Sequence, residues 1–161
     1  MSVYATNGAE IYIGGPIVLT GDDLTESSFT SQVWVKINHT ETIGTYGDAS
    51  AEISFDDLTS GRTIRLKGAR NAGSLDLTCG LDLKDPGQAA LIAAEATSHD
   101  YAFKIVLTDA PVGGTPSERK FAAAIAQASE QLDSANSVVK LNAQLWVNSN
   151  IVRKAAAAGG S

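Results

Sequence analysis

The stretch from Ser74 to Leu83 constrains the fold more than any other in this chain. For ten residues it alternates strictly. Leu75, Leu77, Cys79, Leu81 and Leu83 share one side, and Ser74, Asp76, Thr78, Gly80 and Asp82 share the other. Side chains in a strand point to opposite faces with period two. This pattern therefore describes a strand in a sheet with one buried and one polar face, which is the usual state of an antiparallel sheet.

Further segments read the same way. Val33-Trp34-Val35-Lys36-Ile37 and Thr63 to Lys67 alternate and are rich in β-branched residues. Tyr101 to Thr108 places Tyr101, Phe103, Ile105 and Leu107 on one face. Lys120 to Ser129 and Val138 to Asn148 read as two long strands around the polar turn Glu130 to Asn136. Ile17-Val18-Leu19 reads as a short strand between the turn signals Gly14-Gly15-Pro16 and Gly21-Asp22-Asp23. Gly68 to Gly73 reads as a turn.

One helix is expected at about 85–98. Asp85 is placed to cap it, Pro86 suits its first position, and Gln88 occupies the capping-box position. The body is mostly alanine, a strong helix former. A long loop is expected at about 42–62, with Gly44, Gly47, Gly61 and five acids from Glu41 onward. Loops of that length are uncommon in compact domains and usually functional. Residues 1–31 read as an extended segment, and residues 155–161 as a frayed tail. The expected architecture is mainly β over 1–161 as one domain: an antiparallel sandwich or small barrel with one flanking helix.

The 161 residues suit a single domain, and 43% hydrophobic with 19% charged is a globular composition. One cysteine excludes a disulfide framework. The amino terminus lacks the basic-then-apolar pattern of a secretory signal, and no apolar run is long enough to span a membrane. A soluble protein of a reducing cytoplasm is the expectation. The net charge of -6 argues against static binding to nucleic-acid phosphates. Charge is unevenly placed: residues 1–60 hold nine acids and one base, whereas Arg62, Arg65, Lys67 and Arg70 stand close together. This suggests self-complementarity, an acidic segment of one copy meeting a basic segment of another.

Catalytic patterns are missing. His39 and His99 have no evident partner, and Cys79 lies on an apolar strand face, where a thiol is inert. Gly113-Gly114-Thr115-Pro116 is not a phosphate-binding loop. Asp22-Asp23 and Asp56-Asp57 lack calcium-loop spacing. Asn38-His39-Thr40 matches a glycosylation sequon by chance. Trp34 and Trp146 are candidate platforms for a sugar or single-stranded nucleic acid, or core and contact residues. No cofactor or metal is expected, and no enzymatic activity.

Three stretches, with the helix start Asp85-Pro86-Gly87-Gln88-Ala89-Ala90-Leu91, carry a family resemblance. They are Ile43-Gly44-Thr45-Tyr46-Gly47, Ile53-Ser54-Phe55-Asp56-Asp57-Leu58 and Arg65 to Ser74. Together with the order of elements over about 33–153, they resemble the major tail tube proteins of long-tailed, non-contractile bacteriophages. The resemblance implies a β-sandwich whose copies form six-membered rings, with strands joined into a continuous barrel around a channel. Rings would stack into a tube around a tape-measure protein, with tail terminator and tail-tip proteins as further partners. DNA would be present only in transit. Such a protein would belong to the virion tail, assembled in the host bacterial cytoplasm, without membrane insertion. The loop would reach a neighbouring ring, making Ile43, Tyr46, Asp48, Glu52, Asp56, Asp57, Arg62, Arg65, Lys67 and Arg70 candidate contacts between subunits or rings. The alternatives are a ring-forming terminator or completion protein, a monomeric module binding carbohydrate or a host receptor through Trp34 or Trp146, and a small hydrolase using Asp or His residues, among them His39 or His99.

Overall fold

A computed structural model describes residues 3–159. The ends of the expected amino-terminal segment and of the expected frayed tail, residues 1–2 and 160–161, lie outside the described residues. The protein is mainly β with one helix. Its strands are β1 (Glu10–Pro16), β2 (Val35–Ile37), β3 (Thr40–Thr42), β4 (Ala49–Asp57), β5 (Arg62–Asn71), β6 (Ser74–Gly80), β7 (Tyr101–Val106), β8 (Glu118–Gln131), β9 (Lys140–Val147) and β10 (Val152–Lys154). The helix α1 spans Pro86–Glu95.

The main sheet runs β2-β1-β7-β8-β9-β6-β3, with β10 added alongside β8, and its pairings are antiparallel. The two end strands, β2 and β3, are separated in the chain only by Asn38 and His39. Three residues span at most about 10 Å, so the sheet must curl until its ends meet. The fold is therefore a rolled antiparallel sheet. Its concave side holds a core of Ile11, Ile13, Ile37, Leu75, Leu77, Phe103, Ile105, Phe121, Leu141 and Leu145, with Leu91 of α1 packed into it. These are the residues that alternate in the sequence.

The closure is clasped by polar groups. Asp85 caps α1 by accepting the Gln88 N–H at 3.0 Å, and it also accepts the Asn38 amide at 2.6 Å. The buried Gln88 amide donates to the carbonyls of Asn38 at 3.0 Å and Gly80 at 2.9 Å, while its oxygen accepts the Asp82 N–H. Burial pushes the Asp85 carboxyl up, but the Asn38 and Gln88 hydrogen bonds outweigh it and hold the group below the ordinary carboxylate range. Gly87 lets the helix approach: a Cβ there would lie 2.1 Å from the Lys36 carbonyl oxygen.

Several expectations are corrected. The amino-terminal segment contains β1, and no strand forms at Ile17-Val18-Leu19. Residues 17–34 instead fold across the outer side of the sheet, with a 3₁₀ turn at Glu26–Phe29. Phe29 is buried and stacks on Trp34, Gln32 accepts the Gly15 N–H, and Lys120 pairs with Glu26. Asn150 pairs with the Leu24 backbone through both ends of its amide, at 2.7 and 3.0 Å. This cover explains part of the alanine series in β8: Ala122, register partner of Ala102, is fully buried beneath it. A bulge between Ile125 and Gln127 then turns Ala128 toward the core side, opposite Ala143. The β2 strand starts at Val35, leaving Val33 exposed, and β6 stops at Gly80, leaving Leu83 exposed. Part of the expected frayed tail is held by a bridge between Thr115 and Ala157.

Candidate assembly interface

The largest correction concerns residues 42–62. They are not a long loop. β4 and β5 pair over most of their length into a two-stranded hairpin separate from the main sheet. β5 continues through Gly68 and Arg70, so the reversal expected at Gly68 to Gly73 comes only at Ala72-Gly73. The four-residue turn Leu58 to Gly61 is set by Asp57, whose carboxylate accepts the Thr59 N–H at 2.9 Å. Its carbonyl accepts the Gly61 N–H, and Gly61 takes the left-handed φ of 68° such a turn requires. The Ser60 and Thr59 hydrogen bonds also lower the Asp57 pKa.

The register sorts the hairpin's side chains. Ile53 lies opposite Leu66, and Phe55 opposite Ile64, all on one face. Gly68 leaves room beside them, since a Cβ there would lie 3.1 Å from Ile53. The other face carries Glu52 opposite Lys67, Ser54 opposite Arg65, and Asp56 opposite Thr63. Among the described residues the apolar face is left largely uncovered: Ile53, Phe55, Ile64 and Leu66 remain 51%, 58%, 43% and 56% exposed, and Leu58 at the tip 98%. A two-stranded hairpin alone in water is marginal at best, and an exposed apolar patch marks an interaction site.

The sequence-predicted contacts divide into three groups. Ile43 and Tyr46 are partly buried against the core, with Tyr46 stacked 6.4 Å from Phe121. They anchor the approach to the hairpin. Asp48 pairs with Arg70 at the hairpin base and Glu52 with Arg65 at 3.3 Å. Asp56 accepts the Thr63 hydroxyl at 2.8 Å, Asp57 shapes the turn, and Arg62 and Lys67 lie opposite Asp57 and Glu52. The acidic stretch and the basic run are thus the two strands of one hairpin and face each other within it. The exposed apolar residues of the hairpin, absent from the predicted contacts, are Ile53, Phe55, Leu58, Ile64 and Leu66. The signal for the four on the strands was the alternation in 52–56 matched by that in 63–67.

Two sheet edges are also open among the described residues. Ala124 to Gln131 of β8 pair with β9 on one side only, because β7 ends opposite Ala123. Ser74 to Leu77 of β6 likewise pair with no strand but β9, although Gly44 lies close against the Asp76 backbone on that edge, where a Cβ would be 2.6 Å from the Asp76 carbonyl oxygen. Between these edges lies a face of uncharged polar groups: Gln127, Ser129, Asn142, Gln144 and Thr78, with Asp76 and a 54% exposed Trp146. They bond to one another, Thr78 to Asn142 at 3.2 Å and Asn142 to Gln131 at 2.9 Å. Lys140, the base on this face, is paired with Glu41 at 2.9 Å. Trp34, the other proposed platform, is half-buried under residues 17–34 and has the Lys104 ammonium 5.2 Å from its ring.

No group of three or more His, Cys, Asp or Glu among the described residues could hold a metal ion. His39 is 3.4 Å from Asp82 at the closure of the sheet. Cys79 is buried, and burial pushes its thiol up to about 11. Among the described residues no helix is long and apolar enough to cross a membrane.

No protein-family model matches the sequence, and no curated protein matches it. Solved structures do match the fold. The sheath/tube terminator of an extracellular contractile injection system (PVC, extended state) aligns with a TM-score of 0.68 at 12% identity, over 96% of this chain and 99% of that one. A chain of the anti-feeding prophage baseplate aligns at 0.68 and 14%, over 96% and 98%. The SPP1 tail tube aligns at 0.58 and 18%, over 91% of this chain and 77% of that one. The likeness spans contractile and phage-tail systems and does not single out non-contractile tails. The chain has the fold of tail-tube and tube-terminator proteins.

Proposed function

We propose that this chain is a structural, non-enzymatic subunit that assembles with copies of itself into stacked rings, forming a tail tube. The observation that carries this reading is the β4–β5 hairpin. It forms a sheet of its own with an apolar face that the described residues leave largely uncovered. A second copy would bury that face and stabilise a hairpin that is otherwise marginal. The open edges of β8 and β6 supply the lateral contact. An exposed edge must be paired or covered, and joining the β8 edge of one copy to the β6 edge of the next is a head-to-tail contact, the kind that builds a ring when its rotation closes. The uncharged polar face between the two edges would then line the channel. Such a wall offers passing DNA no free cation to hold it.

Within this reading the rings contain six copies, enclose a tape-measure protein, conduct viral DNA, and belong to a virion tail assembled in the bacterial cytoplasm. Terminator and tail-tip proteins are the remaining partners. A second reading, a terminator that forms a ring without extending into a tube, is favoured by one observation. The sheath/tube terminator matches over nearly its full length at 0.68, against 0.58 for the SPP1 tail tube, of which 77% is covered.

Negative-stain electron microscopy of the purified full chain, over a concentration series, separates the two. Stacked tubes with a central channel are expected. Single rings would move the assignment to the terminator, and a particle that stays monomeric at every concentration would refute both.

A further inference from the structure

We propose that Arg119 and Arg153 form a docking site for carboxylate side chains of an acidic polypeptide partner. The proposal stands apart from ring formation. The paired β8 and β10 segments, 118–120 and 152–154, carry four bases, Arg119, Lys120, Arg153 and Lys154, and one acid, Glu118, in a chain whose net charge is -6. The two lysines are neutralised within the chain. Lys120 pairs with Glu26 and, at 3.2 Å, with Glu118; Lys154 lies 3.9 Å from Glu118. The burial of Lys120 works to lower its pKa, but these two carboxylates outweigh burial and raise it.

The arginines are different. Arg119 and Arg153 are direct register partners across the β8–β10 pair, so both guanidinium groups leave the same face of the sheet side by side. Like charges placed directly opposite each other in a sheet are destabilising. Among the described residues neither arginine takes part in an ion pair. Arg119 donates to the Glu118 carbonyl at 2.9 Å, which leaves most of its fork unused. Asp109 is within electrostatic reach of Arg119. Its oxygens, however, accept the Ser117 N–H at 2.8 Å and the Ser117 hydroxyl. Arg153 is exposed and Arg119 partly buried, so an incoming group meets Arg153 first.

Two adjacent guanidinium forks suit one or two carboxylates held bidentately. A nucleic acid fits less well. Double-stranded DNA presents a charge about every 1.7 Å along its axis, more than two arginines can match once Lys120 and Lys154 are paired with Glu26 and Glu118. A short acidic segment of a partner protein matches the pair in charge.

The test uses the full chain and fluorescein-labelled poly-L-glutamate, read by fluorescence anisotropy at low salt. Saturable binding is expected, weakened about tenfold by Arg153→Gln and further by Arg119→Gln with Arg153→Gln. Lys84→Gln should leave it unchanged, and added salt should weaken it. Arg153 is exposed, so the single variant reports on the site even if the double variant folds poorly. No binding by the native chain, equal binding by Arg153→Gln, or equally tight binding of a single-stranded oligothymidylate of matched charge or of phosphatidylserine vesicles would each overturn the proposal. Tubes seen without poly-L-glutamate binding would remove this site and leave the assembly reading standing, and binding without tubes would do the reverse.

Discussion

Replacing Phe55 by threonine tests whether the hairpin's apolar face is an assembly surface. Threonine is β-branched and suits a strand, as the aromatic phenylalanine does. Phe55 is 58% exposed. An aromatic side chain carries roughly 150–250 Å² of surface, so about 120 Å² is open to solvent and available to a neighbouring copy. At about 25 cal/mol per Å², covering all of it contributes about 3 kcal/mol per subunit, and covering half contributes about 1.5 kcal/mol. Each 1.4 kcal/mol is a factor of about ten in an association constant. The critical concentration for tube formation, measured by sedimentation of assembled material, should therefore rise roughly 10- to 100-fold. Within the subunit the substitution loses a cross-strand pair with Ile64, worth about 0.2–1 kcal/mol. That loss stays in the hairpin, because β4 and β5 form a sheet of their own, and thermal unfolding of the core should move little. An unchanged critical concentration would refute the reasoning. So would a large fall in melting temperature at unchanged assembly, since that would make the hairpin part of the core's cooperative unit.

Two further predictions concern the closure of the sheet. Gly87→Ala sets a methyl group 2.1 Å from the Lys36 carbonyl oxygen. Even after the helix-propensity gain of up to about 1 kcal/mol over glycine, it should destabilise the fold by about 2 kcal/mol or more, read as a lower urea midpoint; an unchanged midpoint would show that α1 can shift away from β2. The second is a pH effect at Asp85, whose folded pKa lies below its unfolded value. The folded state then binds fewer protons, so this stability is present above about pH 4, the ordinary aspartate range, and is lost as pH falls through the folded pKa. Asp85→Asn should lower the melting temperature at pH 6, and the gap to the native chain should narrow steadily toward pH 2. A gap that stays constant would mean the charge of Asp85 contributes nothing.

Legibility followed local pattern. The core strands could be read because burial on one face imposes strict alternation: Leu75, Leu77 and Cys79, or Phe103 and Ile105, have no other reason to recur at every second position. The helix start could be read because Asp85, Pro86 and Gln88 act on the backbone within one turn. What the pattern could not reveal was which segments meet at long range. β1 contains Gly14, Gly15 and Pro16, which read as punctuation; in the fold Gly14 provides space beside Gln32, Trp34 and Ala102. The strand at 152–154 is too short to alternate. In β8 nothing local signals the bulge after Ile125 or the cover formed by residues 17–34, so the different surroundings of Ala122 and Ala128 were not legible.

The hairpin shows why charge read along a chain misleads about assembly. Asp48, Glu52, Asp56 and Asp57 followed by Arg62, Arg65, Lys67 and Arg70 suggested that one copy's acids meet another's bases. Antiparallel pairing brings the same residues opposite each other within one copy. Asp48 meets Arg70 and Glu52 meets Arg65 without any partner subunit. Surface pairs of this kind contribute little, about 0–1 kcal/mol, but they leave the hairpin close to neutral. What remains unsatisfied is the side facing the other way, where Ile53, Phe55, Ile64 and Leu66 gain nothing from the chain's own core. Association through that face is hydrophobic and should depend only weakly on salt. A charge-driven contact would be lost as the Debye length falls from about 10 Å at 0.1 M to about 3 Å at 1 M. Tubes that persist, or grow more readily, at 1 M salt would place the driving force on the apolar face. Tubes that dissolve there would return it to the charges.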